Sequence, residues 1–280
     1  MGIDNVYIST SSIATRDVIE SIMRLSEITG NIELSGGAEY DENLPEMLIQ
    51  VKREKSVQLL LHGYFPPPQT HFVLNFSDVS ERTRNFIRES ISLVRLLSVP
   101  YYSIHGGFTR SYVARDNLLF DTGEREFSLK DMMENVNWFR TEFPDIKLAV
   151  ENMYPNNGIL DCAFLMHVDE IIWFMDTCPD VQLLLDLGHL KISASLLGFD
   201  FLAAASRIME LLGDRLVEIH LSENNGINDD HYIVPRSSEQ VGVLERNRLL
   251  IHEYEINITI ESRNETIDSL LNCYEAIRGI

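Results

Sequence analysis

The sequence predicts a (β/α)8 barrel folded as one domain over residues 1–280, and three observations predict it. Short apolar segments of strand length recur eight times, and segments with helical periodicity alternate with them. Alternating strands and helices build a parallel sheet covered on both faces, and eight such units close most economically into a barrel. Strands two to eight also end in Asp, Glu or His, residue types that fill only about one position in five of the chain. A doubly wound open sheet is the alternative, but no Gly-x-Gly-x-x-Gly or Gly-x-x-x-x-Gly-Lys loop follows the first strand.

Asn5 to Thr10 alternates as a short buried strand and leads into a helical segment around Arg16 to Glu27. Ile32-Glu33-Leu34 is the second strand, running into a glycine turn at Gly36-Gly37. Val57 to His62 is the third, stopped by Gly63-Tyr64-Phe65 and three prolines that forbid helix. Ser80 to Leu97 has helical periodicity, with Ser80 as its N-terminal cap. Tyr101 to His105 is the fourth strand, and a long connection from Phe108 to Glu126 precedes a helix over Ser128 to Phe139. Lys147 to Glu151 and Val181 to Asp186 are the fifth and sixth strands, with a short helix over Val168 to Met175 between them. Phe199 to Leu212 is an amphipathic helix leading to the seventh strand, which opens at Leu216 and delivers His220. Ile256 to Glu261 is the eighth strand, and Thr266 to Ile277 a closing helix.

A hydrophobic fraction of 45% is ample for one large core and excludes a disordered chain. Runs such as Val181 to Leu185 fall far short of a membrane span, and no basic-then-apolar signal segment is visible at the N-terminus. Cys162, Cys178 and Cys273 are scattered, without a Cys-x-x-Cys pair, and read as buried or free thiols of a reducing, cytoplasmic compartment. The net charge of −20, from 43 acids and 23 bases, opposes the cation–phosphate contacts that nucleic-acid binding depends on. A local basic groove or metal-neutralised acids would soften that argument, so DNA is disfavoured rather than excluded.

The strand ends in question are Glu33, His62, His105, Glu151, Asp186, His220 and Glu261, and in a barrel they converge on the C-terminal mouth where active sites lie. Leu216 to His231 is the densest stretch. After His220, Asn225-Gly226 favours a tight turn with positive φ, and the loop returns Asp229 and His231 to the same neighbourhood. Imidazoles and carboxylates gathered in this way suit a divalent metal such as zinc or manganese. Asp186-Leu-Gly-His189 adds two ligand types three residues apart, with Gly188 loosening the turn. Glu151 and Glu261 close their strands without a local basic partner, and a cation would remove the cost of burying them.

Other roles remain open. Glu33 is either a structural carboxylate or a substrate contact, and His62 or His105 taken singly also fits a hydrogen-bonded core or rim histidine. Tyr64, Phe65 and Phe108 lie beside strand ends, where they line a pocket or simply pack. Arg236 and Arg263 are the bases nearest the motifs, either holding a substrate phosphate or carboxylate or pairing with surface acids. His71, His167 and His252 fall off the pattern.

Over essentially its whole length the chain resembles the xylose isomerase-like barrel superfamily of sugar isomerases, epimerases and endonuclease IV. The most specific piece is His-Leu-x-Glu-Asn-x-Gly-x-x-Asp-x-His at 220–231, with Glu223 where the family pattern has aspartate. The isomerase and epimerase branch implies one divalent metal (Mn, Co, Mg or Zn) held by Glu151, Asp186, His220 and Glu261. The two glutamates then move a proton through an enediolate on a sugar-like small molecule. The endonuclease IV branch (AP endonuclease family 2) implies up to three zinc ions. Counterparts of its nine ligands are His62, His105, Glu151, Asp186, His189, His220, Asp229, His231 and Glu261, arranged for phosphodiester hydrolysis. Against that branch, Tyr232 to Ser238 replaces its glycine-rich run, and the loop after Gly63 carries no base before Arg82. The expectation is therefore a metal-dependent isomerase or epimerase, with the zinc phosphodiesterase and a non-catalytic metal- and sugar-binding barrel as alternatives. No membrane partner is expected, and homo-oligomerisation through helices or loops is left open.

Overall fold

The computed structural model describes residues 2–109, 125–156 and 160–280. Eight strands form one sheet: β1 Val6–Ser9, β2 Asn31–Leu34, β3 Gln58–Leu61, β4 Tyr102–His105, β5 Leu148–Glu151, β6 Gln182–Asp186, β7 Leu216–Leu221 and β8 Asn257–Ile260. Every laddered neighbour is parallel, in the order β3-β2-β1-β8-β7-β6-β5-β4. The seam between β3 and β4 is closed near the mouth by an isolated bridge from His62 to Ser103, where the Gly63 N–H donates to the Ser103 carbonyl at 2.8 Å. The fold is the expected α/β barrel, nearly closed.

Among the described residues the helices are α1 Val18–Leu25, α2 Leu44–Lys55, α3 Glu81–Leu97, α4 Arg125–Glu142, α5 Val168–Thr177, α6 Leu187–Leu197, α7 Phe201–Leu212, α8 Glu239–Glu253 and α9 Ile267–Arg278. The Ser80 hydroxyl caps α3 by accepting from the Thr83 N–H, as the sequence suggests. Most of the long connection expected from Phe108 to Glu126 lies outside the described residues, and α4 begins at Arg125 rather than Ser128.

Three helices, α2, α6 and α8, have no counterpart in the sequence reading. The correction at α6 bears on the site. Gly188 does not loosen a turn, because the helix starts at Leu187 with Asp186 as its cap. Glycine is needed there for close approach. A Cβ on Gly188 would collide with the Ser222 hydroxyl and come within 2.8 Å of the Ser222 carbonyl oxygen.

The two-residue period of the strands sorts the barrel interior into layers. Leu60, Ala149 and Leu184 precede His62, Glu151 and Asp186 by two positions and pack with Tyr7 and Tyr101 as a buried cluster. The larger core, including Ile8, Ile32, Leu61, Val150, Leu185 and Ile219, packs with helix residues such as Ile22, Ile87, Val136, Ile171, Ile208 and Ile277. Apolar packing therefore underlies the rim on which the polar side chains stand. The three cysteines are buried and free. No helix among the described residues is long and apolar enough to cross a membrane.

Candidate metal centre

Parallel register itself sets ligand types side by side, pairing His105 with Glu151 and Asp186 with His220 across neighbouring strands. Glu151 stands at the junction. Its Oε2 lies 3.2 Å from His62 Nε2 and 3.3 Å from His105 Nε2, and its Oε1 lies 3.2 Å from His189 Nδ1. His220 places Nε2 2.9 Å from Glu33 Oε2 and Nδ1 3.3 Å from Glu261 Oε2, with Asp186 Oδ2 at 4.0 Å. Asp229 Oδ2 is 2.7 Å from His231 Nε2 and 3.8 Å from His189 Nε2. The nine ligand types singled out in the sequence, with Glu33, thus form one continuous network.

Residues that the sequence reading passed over hold the network in place. The Asn152 side chain clasps the Asp186 backbone, accepting from its N–H at 2.7 Å and donating to its carbonyl at 3.1 Å. Asp186 Oδ1 accepts from the His189 N–H at 2.7 Å, which starts α6 and leaves Oδ2 for the centre. His189 Nδ1 lies 2.8 Å from the Asn152 carbonyl and His231 Nδ1 lies 2.8 Å from the Glu261 carbonyl. Each carbonyl can only accept, so each ring donates there and turns Nε2 inward. Ser103 does the equivalent for His62 at 3.0 Å. The signals were present in sequence, since Asn152 directly follows Glu151 and Ser103 lies two residues before His105.

The Asn225-Gly226 turn adopts the expected positive φ, 77° at Gly226, with Asn225 Oδ1 accepting from the Ile227 and Asn228 N–H groups. A bridge between Glu223 and Tyr232 closes the loop and returns His231 to the mouth. Glu223 itself pairs with Lys191 of α6 at 2.5 Å and Ser238 at 2.6 Å, so it fastens the loop to the barrel.

Several buried polar atoms here make no hydrogen bond: both Glu151 oxygens, Glu33 Oε1, Asp186 Oδ2, Asp229 Oδ1 and His220 Nδ1. Three triads each gather one ligand atom per residue within 4.8 Å: Glu33–His62–His220, His62–His105–Glu151 and Glu151–Asp186–His220. Orphaned buried anions are costly, and a divalent cation among them relieves that cost, so the donor set fits a divalent metal.

Charge coupling points the same way. Burial would raise the Glu151 carboxyl, but His105, His62 and His189 around it hold it down at about 2. Burial pushes Asp186 up to about 6 and Glu33 up to about 8. Burial opposes charge on His220, yet Glu33, Glu218 and Glu261 raise it well above the usual imidazole range. Asp186, Asp229 and Glu151 do the same for His189 against its burial. Burial keeps His62 low, at about 4. The carboxylates thus favour a proton on His189 and His220 against the effect of burial.

A cavity of about 630 Å³ opens from His62, His105 and Glu261 and is bordered by Tyr64, Arg16 and Arg263. A second, of about 290 Å³, reaches His105, His189 and Asp229 past Phe108 and Tyr154. Tyr64 and Phe108 thus lie at the mouth, while Phe65 is buried in the core. Arg236 does not reach either cavity and borders a recess beside α9 with Ser269 and Cys273. His71 stacks on Tyr64, His167 caps α5 and His252 lies on α8, all outside the network.

No family model matches the chain. An uncharacterized protein of Methanocaldococcus jannaschii is 23% identical over 211 residues, spanning 74% of this chain and 73% of that protein. Among solved structures, a D-tagatose 3-epimerase-like protein aligns at a TM-score of 0.68 and 18% identity over 98% of each chain. AP endonuclease, family 2, from Brucella melitensis aligns at 0.70 and 14%, over 99% of this chain and 100% of that one. The D-psicose 3-epimerase of Clostridium cellulolyticum, solved with D-tagatose, aligns at 0.63 and 13%, over 98% and 91%. These neighbours are xylose isomerase-like barrels, and the chain shares their fold.

Proposed function

We propose that this xylose isomerase-like barrel is a divalent-metal-dependent isomerase or epimerase acting on a sugar or sugar-derived small molecule. The observation that carries the reading is the convergence of Glu151, Asp186, His220 and Glu261, from four consecutive strands, beside a cavity of small-molecule size. These four would hold the cation, which supplies Lewis-acid polarisation of a substrate carbonyl and its neighbouring hydroxyl. Glu151, held as a carboxylate by the imidazoles around it, would take the proton from the adjacent carbon. Glu261, also held as a carboxylate by His231 and His220 against its burial, would relay a proton taken from solvent to the carbon from its own side of the mouth, and the choice of face sets the product. Tyr64 and Phe108 border the sugar, and Arg263, with no ion pair among the described residues, offers its guanidinium to a substrate oxygen. Glu33 acts through its contact with His220 at 2.9 Å, beneath the substrate.

The nine-ligand network favours a second reading, a multi-zinc phosphodiesterase, in which His62, His105, His189, Asp229 and His231 would hold further ions. The lining of the larger cavity weighs against it. Among the described residues its bases are Arg16, already tied to Glu39 at 3.3 Å, and Arg263, too few to track a phosphate backbone.

The test incubates metal-loaded protein with ketoses and their phosphates in D2O and follows deuterium uptake at the carbon beside the carbonyl. Exchange that disappears in Glu151→Gln and Glu261→Gln supports the isomerase. Incision of an abasic-site duplex at physiological salt, without exchange on any sugar, overturns it.

A further inference from the structure

Below the rim, the barrel interior holds one acid that the chemistry above does not use. Glu218 lies in β7 two residues before His220, so the two share a face, and it is fully buried. That layer of a barrel is ordinarily filled by branched aliphatics, and neighbouring strands here supply Leu60, Ala149 and Leu184. A carboxylate in their company is costly unless its lone pairs are satisfied. Both oxygens are tethered. The Tyr101 hydroxyl donates to Oε2 at 3.0 Å and the Thr259 hydroxyl to Oε1 at 2.5 Å, while Asn257 donates to the Tyr101 oxygen at 2.8 Å. One tether comes from β8, which pairs with β7, and the other from Tyr101 just before β4, and they leave Glu218 facing His220 Nε2, 3.5 Å from Oε1. Glu33 Oε2 approaches the same nitrogen at 2.9 Å, so two carboxylates bracket it.

We infer that Glu218 is a positioning residue for His220. With Glu33 it keeps a proton on Nε2 and turns Nδ1, 3.3 Å from Glu261 and 4.0 Å from Asp186, toward the cation. The inference rests on reading the rim as a metal centre. A ligating histidine whose second nitrogen meets a carboxylate has its ring orientation and tautomer fixed, and losing that partner typically lowers metal affinity about 10–100-fold. A Glu218 that merely filled space would leave metal affinity unchanged when replaced.

Two variants of the full chain test this, Glu218→Gln and Tyr101→Phe. Glutamine keeps the size and one acceptor oxygen but removes the negative charge that faces His220 Nε2. Tyr101→Phe removes one tether and leaves Glu218 in place. Zinc affinity is measured by chelator competition, and the His220 tautomer in the zinc-loaded protein by 15N NMR. The expected results are a zinc Kd weakened about 10–100-fold in Glu218→Gln, a smaller loss in Tyr101→Phe, and an Nε2–H signal that is no longer a single population. If Glu218→Gln does not fold, the Tyr101→Phe affinity decides alone. Zinc affinity within about twofold of the parent, with only the melting temperature moved, overturns the positioning role while the metal centre stands. A parent chain that takes up no zinc, manganese or cobalt overturns both.

Discussion

The β5–β8 side of the mouth and the β2–β4 side carry the same residue types in different settings. On the first, Glu151, Asp186 and His220 are fully buried, and Asn152, the α6 cap and strand register fix their positions. On the second, Glu33 and His62 are buried as well, but His105 is half exposed at 45% and stands beside the seam that an isolated bridge closes in place of a ladder. The β5–β8 side is suited to hold a cation, while His62 and His105, with Glu261 across the mouth, line the cavity and are suited to meet a substrate. Glu151 joins them, because its two oxygens contact His189 on one side and His62 and His105 on the other.

The comparison predicts a gradient of effects. Glu151→Gln breaks both sides at once and is expected to lower deuterium exchange on the sugar substrate by at least about a hundredfold, read by NMR. Next, His220→Ala should weaken zinc about a hundredfold or more, and His105→Ala by less than about tenfold, in chelator competition. Equal losses in the two would erase the distinction and favour several equivalent zinc sites. Gly188→Ala pushes α6 off Ser222 and should cost about 1–3 kcal/mol in denaturant unfolding. It should also weaken zinc binding, because the same helix start positions Asp186 and His189. The smallest effect is in proton balance. Since His189 and His220 are raised above the usual imidazole range, zinc uptake at pH 7 should release protons, measurable in weakly buffered solution. Replacing His105 should leave most of that release intact.

The strand ends were legible because a parallel barrel forces one face of each short apolar run into the interior, so a polar residue closing the run is conspicuous. The same alternation also marks Glu218, which shares the face of His220, but it sits inside an apolar run and supplies no ligand at the rim. The α6 start was hidden because Asp186 serves at once as strand end, helix cap and ligand type, and Gly188 imitates a turn. Pro45 at the start of α2 and Ser238 capping α8 were available signals for the other two helices. Arg236, near the motifs in sequence, is not near the cavities in space. After the bridge at Tyr232 the chain leaves the mouth and runs toward α9, whereas Arg263 follows β8 and stays at the cavity.

If the rim is a metal centre, these far-separated carboxylates and imidazoles surround a divalent cation. Metal analysis of freshly purified protein tests it most directly, paired with a melting scan before and after chelation. The expected result is at least one equivalent of zinc, manganese, cobalt or magnesium, a melting temperature that falls on chelation, and loss of both signals in Asp186→Asn. A chain that carries no metal, and whose melting temperature ignores added zinc and manganese, would contradict it.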